Sequence, residues 1–106
     1  MSFIKLTDLT SKEIVPGYHG RFLHTEHNTI SHWKVEAGAT LPEHAHEHEQ
    51  TSIVLEGKFE LTVDGEARLL EPGEWALIPS NVPHSGKAHT ACTIMDIFYP
   101  VREDYR

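Results

Sequence analysis

The chain has 106 residues, with 16 acidic against 9 basic side chains, a formal net charge of −7, 39% hydrophobic and 24% charged residues. This composition suits one ordered domain with a modest core, and an acidic chain without a Lys/Arg cluster repels phosphate backbones and anionic lipid, so nucleic acid and membranes are excluded as partners. The single Cys92 excludes an internal disulfide and fits a reducing compartment. No apolar run approaches the ~20 residues that span a bilayer. The start, MSFIKLTDLTSKEIVPG, has no apolar stretch behind a basic end, so it is not a signal peptide and a cytoplasmic location is expected.

The first thirty or so residues are the least regular part of the chain. Thr10-Ser11-Lys12-Glu13 predicts a helix N-cap and one turn, ended by Pro16. Beyond it, turn residues recur closely: Pro16-Gly17, Gly38, Pro42, Gly57, Asp64-Gly65, Pro72-Gly73, Pro79, Pro83, Gly86 and Pro100. Between them lie short runs rich in β-branched and aromatic residues: TSIVL (51–55), KFELTV (58–63), WALI (75–78) and ACTIMDIFY (91–99). Such spacing predicts an all-β sandwich or barrel. Phe59, Leu61 and Val63 alternate with Lys58, Glu60 and Thr62, the period of a half-buried strand. Asp64-Gly65 supplies two positive-φ residues, so 58–70 folds into a hairpin.

Nine histidines equal the whole Lys+Arg count. Residues 43–50 read Glu-His-Ala-His-Glu-His-Glu-Gln, and side chains two apart on an extended segment share a face, so His44 and His46 can aim at one point. Imidazole suits zinc, copper, iron and nickel. Gln50 lies just past the expected turn, and His84 sits in a separate Pro-rich stretch; three imidazoles and an amide oxygen make a neutral ligand set with positions left open. By itself HAHEH also fits a solvated histidine-rich loop that binds metal adventitiously.

The wider spacing separates these readings. Gly38, five residues, His44-x-His46, three residues, Gln50, six residues and Gly57 form one string; Gly73, five residues, Pro79-x-Asn81, two residues and His84 form a second, 15 residues later. The strings resemble the two signature motifs of the cupin family, G-x5-H-x-H-x3,4-E-x6-G and G-x5-P-x-G-x2-H-x3-N. The resemblance implies one cupin domain over residues 1–106, an antiparallel jelly-roll β-barrel. It also implies a divalent transition metal (nickel, zinc, iron or manganese) held by His44, His46, Gln50 and His84, and a homodimer. Three positions depart from the pattern: Gln50 stands for glutamate, Asn81 for glycine and Ala88 for asparagine. Asn tolerates the left-handed turn, and Ala88 lies outside the ligand set. A neutral Gln50 leaves the dication's charge uncompensated, which favours Lewis-acid chemistry on an anionic substrate. Glu49 competes for the role but has the opposite parity and breaks the count to Gly57. His48 falls in the turn, where an exposed loop histidine and a contact to the site's ligands or substrate both fit. His19, His24, His27, His32 and His89 follow no ligand spacing and read as structural or solvent-facing.

The last strand places Asp96 within an apolar run, on the face of Cys92, Ile94 and Phe98. If that face is interior, its carboxylate must be paired, hydrogen-bonded or functional. Arg102 follows, with a fork of donors suited to a carboxylate. The arrangement Asp-x-Phe-x-Pro-x-Arg-Glu-Asp-Tyr is similar to the end of the pectin-degradation cupins of the KdgF type, which convert 4,5-unsaturated monouronates to linear keto-uronates and also use a glutamine among their metal ligands. That resemblance implies catalytic roles for Asp96 (acid–base), Arg102 (substrate carboxylate) and Phe98 (packing on the sugar), and a small anionic sugar or another small molecule as substrate. Two other classes stay open: a metal-dependent dioxygenase of a small organic substrate, and a non-catalytic cupin that binds a sugar or other ligand.

Overall fold

Side chains that alternate between apolar and polar build ten antiparallel strands in a computed structural model that describes residues 3–106. They are β1 (Lys12–Val15), β2 (Tyr18–His24), β3 (Thr29–Val35), β4 (Thr40–His44), β5 (Glu49–Glu56), β6 (Phe59–Val63), β7 (Glu66–Leu70), β8 (Trp75–Ile78), β9 (His84–Ala88) and β10 (Cys92–Tyr99). Two single 3-10 turns, Leu6–Asp8 and Glu103–Tyr105, flank them, and no α-helix occurs among the described residues. No helix is long and apolar enough to cross a membrane.

The strands form a six-stranded sheet, ordered β1-β2-β3-β10-β5-β8, and a four-stranded sheet, ordered β4-β9-β6-β7. The chain passes back and forth between them through the loops after β3, β4, β5, β7, β8 and β9, the connectivity of a jelly roll. No ladder joins the two sheets among the described residues, so the expected barrel is an open sandwich. Inner-face side chains, rather than hydrogen bonds around a ring, hold the layers together.

The predicted helical turn at Thr10–Glu13 is not formed: Lys12–Val15 is β1, paired to β2 with Lys12 opposite Gly20. One isolated turn fixes several residues for a single bond, whereas extension lets this segment use the free edge of β2. The irregular first thirty residues thus contain two strands. The hairpin of 58–70 forms as expected: Phe59 pairs with Leu70, Val63 with Glu66, and Asp64 (φ 49°) and Gly65 (φ 81°) make the turn.

The core lies between the sheets. Trp33 meets Phe22 edge-on at 5.4 Å and Tyr18 at 6.3 Å; Val54 and Ile94 extend this layer on the same sheet, and Phe59 and Leu61 close it from the opposite one. The odd residues of β5 and β10 face outward, and their even residues, Gln50, Ser52, Asp96 and Phe98, are buried.

Candidate metal centre and active site

His44 ends β4 and His84 begins β9, and the ladder sets them opposite each other with ring centroids 4.2 Å apart. His46 follows in the loop, 4.9 Å from His84 and 5.7 Å from His44. Asn81 locks this arrangement. It takes φ 64°, the conformation that a glycine supplies in the motif it resembles, and its N–H donates to the carbonyl of His46 at 2.7 Å. The loop carrying His84 is thereby tied to the loop carrying His46.

Each imidazole is oriented by backbone. Nδ1 of His44 donates to the carbonyl of Pro42 at 2.8 Å, Nδ1 of His46 to that of His48 at 2.9 Å, and Nδ1 of His84 to that of Val82 at 2.9 Å. A carbonyl only accepts, so Nδ1 carries a proton in each ring, and in the neutral form Nε2 keeps the lone pair. Burial, aided by the charge of Arg102, lowers the pKa of His46 to about 4; burial also lowers that of His84. The ligand atoms of the three rings lie within 4.8 Å of one another, and Nε2 of His84 is buried with no partner.

Gln50, the first inward residue of β5, completes the set. Ser52 Oγ has one proton, which it donates to Asp96 Oδ1 at 2.6 Å, so it accepts from Gln50 Nε2 at 2.9 Å. The amide oxygen is thereby turned to His46 Nε2, at 3.1 Å. Two lone-pair donors face each other there, and adjacent ligands bound at ~2.1 Å and at right angles lie about 3 Å apart. Three converging imidazole lone pairs and this amide oxygen fit a divalent transition metal.

Asp96, 8% exposed, pairs across the sheet with Ser31 and Ser52. Burial raises its pKa to about 6, against the opposing pull of Ser52, Gln50, Trp33 and the charge of Arg102. The Trp33 indole N–H stands near enough to favour the ionised form, yet closes no hydrogen bond. Direct geometry therefore leaves Ser52 as the one donor bonded to the carboxylate. An acid half-titrated near neutrality is suited to give and take a proton.

Phe98 and Arg102 border the same cavity of about 410 Å³, with Asp96, Gln50, His44 and His84. Phe98 is 2% exposed, its ring 5.8 Å from that of His46 and 4.7 Å from the Arg102 guanidinium carbon. Arg102 does curl back from the C-terminus. Its N–H donates to Thr29 Oγ1 at 2.8 Å, and its side chain is buried. Deeper in, the cavity walls are apolar: Val35, Leu41, Val54, Phe59, Leu61 and Ile94.

Three of the other histidines have ordinary partners. His19 bonds Glu36 and His89 bonds Glu60, both at 2.8 Å, and His24 bonds Thr29 at 2.9 Å. Glu13, His19 and Glu36 also bring possible ligand atoms together, but on an exposed edge where His19 and Glu36 share a surface hydrogen bond. His48 serves the site through its carbonyl, while its ring lies 5.5 Å from that of His46. Sequence reasoning missed Ser52, although it sits two residues from Gln50 on one strand face. It also missed Asp104, whose two-residue spacing from Arg102 was the available signal.

A family model described as the cupin domain matches residues 31–98. KdgF from Halomonas sp. superposes with a TM-score of 0.93 at 29% identity, over 100% of this chain and 99% of that one. An RmlC-like cupin from Shewanella frigidimarina gives a TM-score of 0.94 at 29% identity, over 100% and 96% of the two chains. Quercetin 2,3-dioxygenase of Bacillus subtilis is 49% identical over 49 residues, which are 45% of this chain and only 14% of that protein.

Proposed function

The chain belongs to the cupin family, and from that premise we propose that it is a metal-dependent enzyme that opens 4,5-unsaturated monouronates to linear keto-uronates. The observation that carries this reading is the placement of Asp96, with its pKa near 6, in one cavity with His44, His84 and Arg102, beside the cluster those two imidazoles form with His46. The tail motif ending at Tyr105 and the full-length likeness to KdgF support the substrate class. His44, His46, Gln50 and His84 would hold the metal, which would supply Lewis-acid polarisation.

The reaction is an isomerisation. The anomeric hydroxyl loses its proton, the bond from C1 to the ring oxygen breaks and C1 becomes an aldehyde. The enol oxygen left on C5 becomes a ketone as C4 gains a proton. Asp96 accepts and returns the proton, and Ser52 holds its carboxylate in place. Arg102 binds the uronate carboxylate, and Phe98 shapes the wall beside it. The test is incubation of metal-loaded protein with lyase-generated unsaturated monouronates, following loss of absorbance from the conjugated double bond. A rate equal to the spontaneous one overturns the reading.

A second reading is oxygenation of a small organic substrate by the same metal. The apolar inner walls of the cavity and the local likeness to quercetin 2,3-dioxygenase favour it. It predicts oxygen consumption with planar aromatic substrates and none with uronates.

We further propose that two copies pair through the outer face of the six-stranded sheet. Trp75 and Leu77 are 67% and 61% exposed there, beside Ile53, Leu55, Met95 and Ile97. Arg21 and Lys34 lie on the β2 and β3 part of this face, while the part formed by β5, β8 and β10 is apolar at its centre, so a second copy meets apolar surface there without repulsion.

A further inference from the structure

The side chain of Arg102 has one open edge. Phe98 and Tyr105 lie against its guanidinium carbon at 4.7 and 4.1 Å. Asp104 grips the side of the fork, accepting from Nε at 3.0 Å and from Nη2 at 2.8 Å. The backbone beneath is pinned by the Arg102 N–H to Thr29 bond, and Thr29 is fully buried. The 3-10 turn Glu103–Tyr105, closed by Tyr105 N–H to the Arg102 carbonyl at 3.1 Å, sets Asp104 at the distance this grip needs.

A planar guanidinium offers a carboxylate two matching edges, Nε with Nη2 and Nη1 with Nη2. Asp104 fills the first. Nη1 makes no hydrogen bond to the described residues. Phe98 lies 4.7 Å from the guanidinium carbon and 5.8 Å from the His46 ring, and Arg102 lines one cavity with His44 and His84, so the group stands close to the candidate metal centre.

We infer that Asp104 is a positioning residue: by occupying the side edge of Arg102 it presents the Nη1/Nη2 edge to the cavity, as a fork for the single carboxylate of a small organic acid. The identity of that acid as a uronate rests on the proposed function; the geometry of the fork does not. The inference reverses the sign that charge alone predicts. As a mere anion beside the site, Asp104 repels a bound carboxylate, and its removal would tighten binding. As a positioning group, its removal lets the fork swing and weakens binding.

Calorimetric titration of the metal-loaded protein with D-glucuronate, and with D-glucose as the uncharged control, tests this. Wild type binds glucuronate in preference to glucose. Asp104→Asn and Asp104→Ala bind glucuronate roughly tenfold more weakly, the loss of about one charge-assisted hydrogen bond, with glucose unaffected, and Asp104→Glu restores part of the affinity. Circular dichroism and the melting temperature verify that each variant is folded. Unchanged or tighter glucuronate binding in D104N and D104A overturns the inference, as does a wild type without preference for glucuronate over glucose. If Arg102→Ala abolishes glucuronate binding while D104A retains it, the positioning role alone falls and the uronate reading stands. If D104A weakens glucuronate binding but the turnover assay fails, the fork stands and the uronate reading falls.

Discussion

Ser52 Oγ donates to Asp96 Oδ1 at 2.6 Å, and through this one bond the acid fixes which end of the Gln50 amide faces His46. In the proposed function, proton chemistry and metal ligation thus share a single hydroxyl. Ser52→Ala removes the donor and frees the amide to rotate. Supporting residues of this kind typically contribute ~10–100-fold to metal affinity or activity. S52A is therefore expected to lose between one and two orders of magnitude in uronate turnover, with weaker metal binding in equilibrium dialysis. Wild-type values for both would show that the chain of bonds does not act on the site.

The buried acid gives the metal-free protein a pH-dependent cost. The pKa of Asp96 is raised, to about 6 from an ordinary 3.8, so the folded state binds the proton more tightly than the unfolded one. Stability is therefore highest at low pH with respect to this group, falls as pH rises between 3.8 and about 6, and stays reduced above that. At 1.36 kcal/mol per unit the full effect is on the order of 3 kcal/mol. Asp96→Asn, which carries no charge, should be more stable than wild type at pH 7.5, with the gap closing toward pH 4. Urea titrations of both proteins at the two pH values decide it; a gap independent of pH would mean that the carboxylate is solvated.

The ligand set makes two opposite predictions. His84→Ala removes a buried nitrogen that has no other partner and should reduce metal content to near zero after dialysis, while leaving the strands intact by circular dichroism. Gln50→Glu does the reverse. A carboxylate in place of the amide adds a negative charge to three neutral imidazoles, so metal is held more tightly, but the site becomes less attractive to an anionic substrate. Q50E is expected to show higher metal affinity and a KM for unsaturated monouronate raised roughly tenfold, about 1.4 kcal/mol. A KM equal to wild type would show that the neutral ligand does not select for charge.

What the sequence made legible was local. The runs at 51–55, 58–63, 75–78 and 91–99 fall on β5, β6, β8 and β10, because each pairs β-branched residues with a visible turn. His44, His46, Gln50 and His84 meet because strand parity and loop length carry them to one point. β2 was hidden for a physical reason. Its inward positions are Tyr18, Gly20 and Phe22, and the glycine in the middle breaks the apolar alternation. The space above Gly20 is shared by the ring of Phe22, two residues along β2, and that of Trp33, directly opposite in the ladder, so neighbouring rings fill the place of the missing side chain. The open sandwich was likewise unreadable, since sheet closure depends on which strands pair at a distance. Asp104 escaped notice because a charged residue two positions after Arg102 is ordinary until Arg102 is seen folded over the cavity.

The outer face of the six-stranded sheet yields the last prediction. Five gaps of ~4.8 Å make the sheet about 24 Å wide, and strands of seven residues are about 23 Å long. One face therefore offers on the order of 500 Å² in projection, close to the ~800 Å² of accessible surface that each partner of a standard interface buries. Trp75 and Leu77 on the edge strand β8 place the most exposed apolar surface at one side of that face. A two-fold pairing lays each Trp75 across the Ile53 and Met95 row of the other copy. Trp75→Glu buries a charge in that contact and should convert a dimer to a monomer in sedimentation experiments at micromolar protein. Leu69→Glu, at another exposed apolar position, on β7 of the other sheet, should leave the dimer intact. A wild-type monomer, or a dimer that survives W75E and is lost in L69E, would move the contact away from this face.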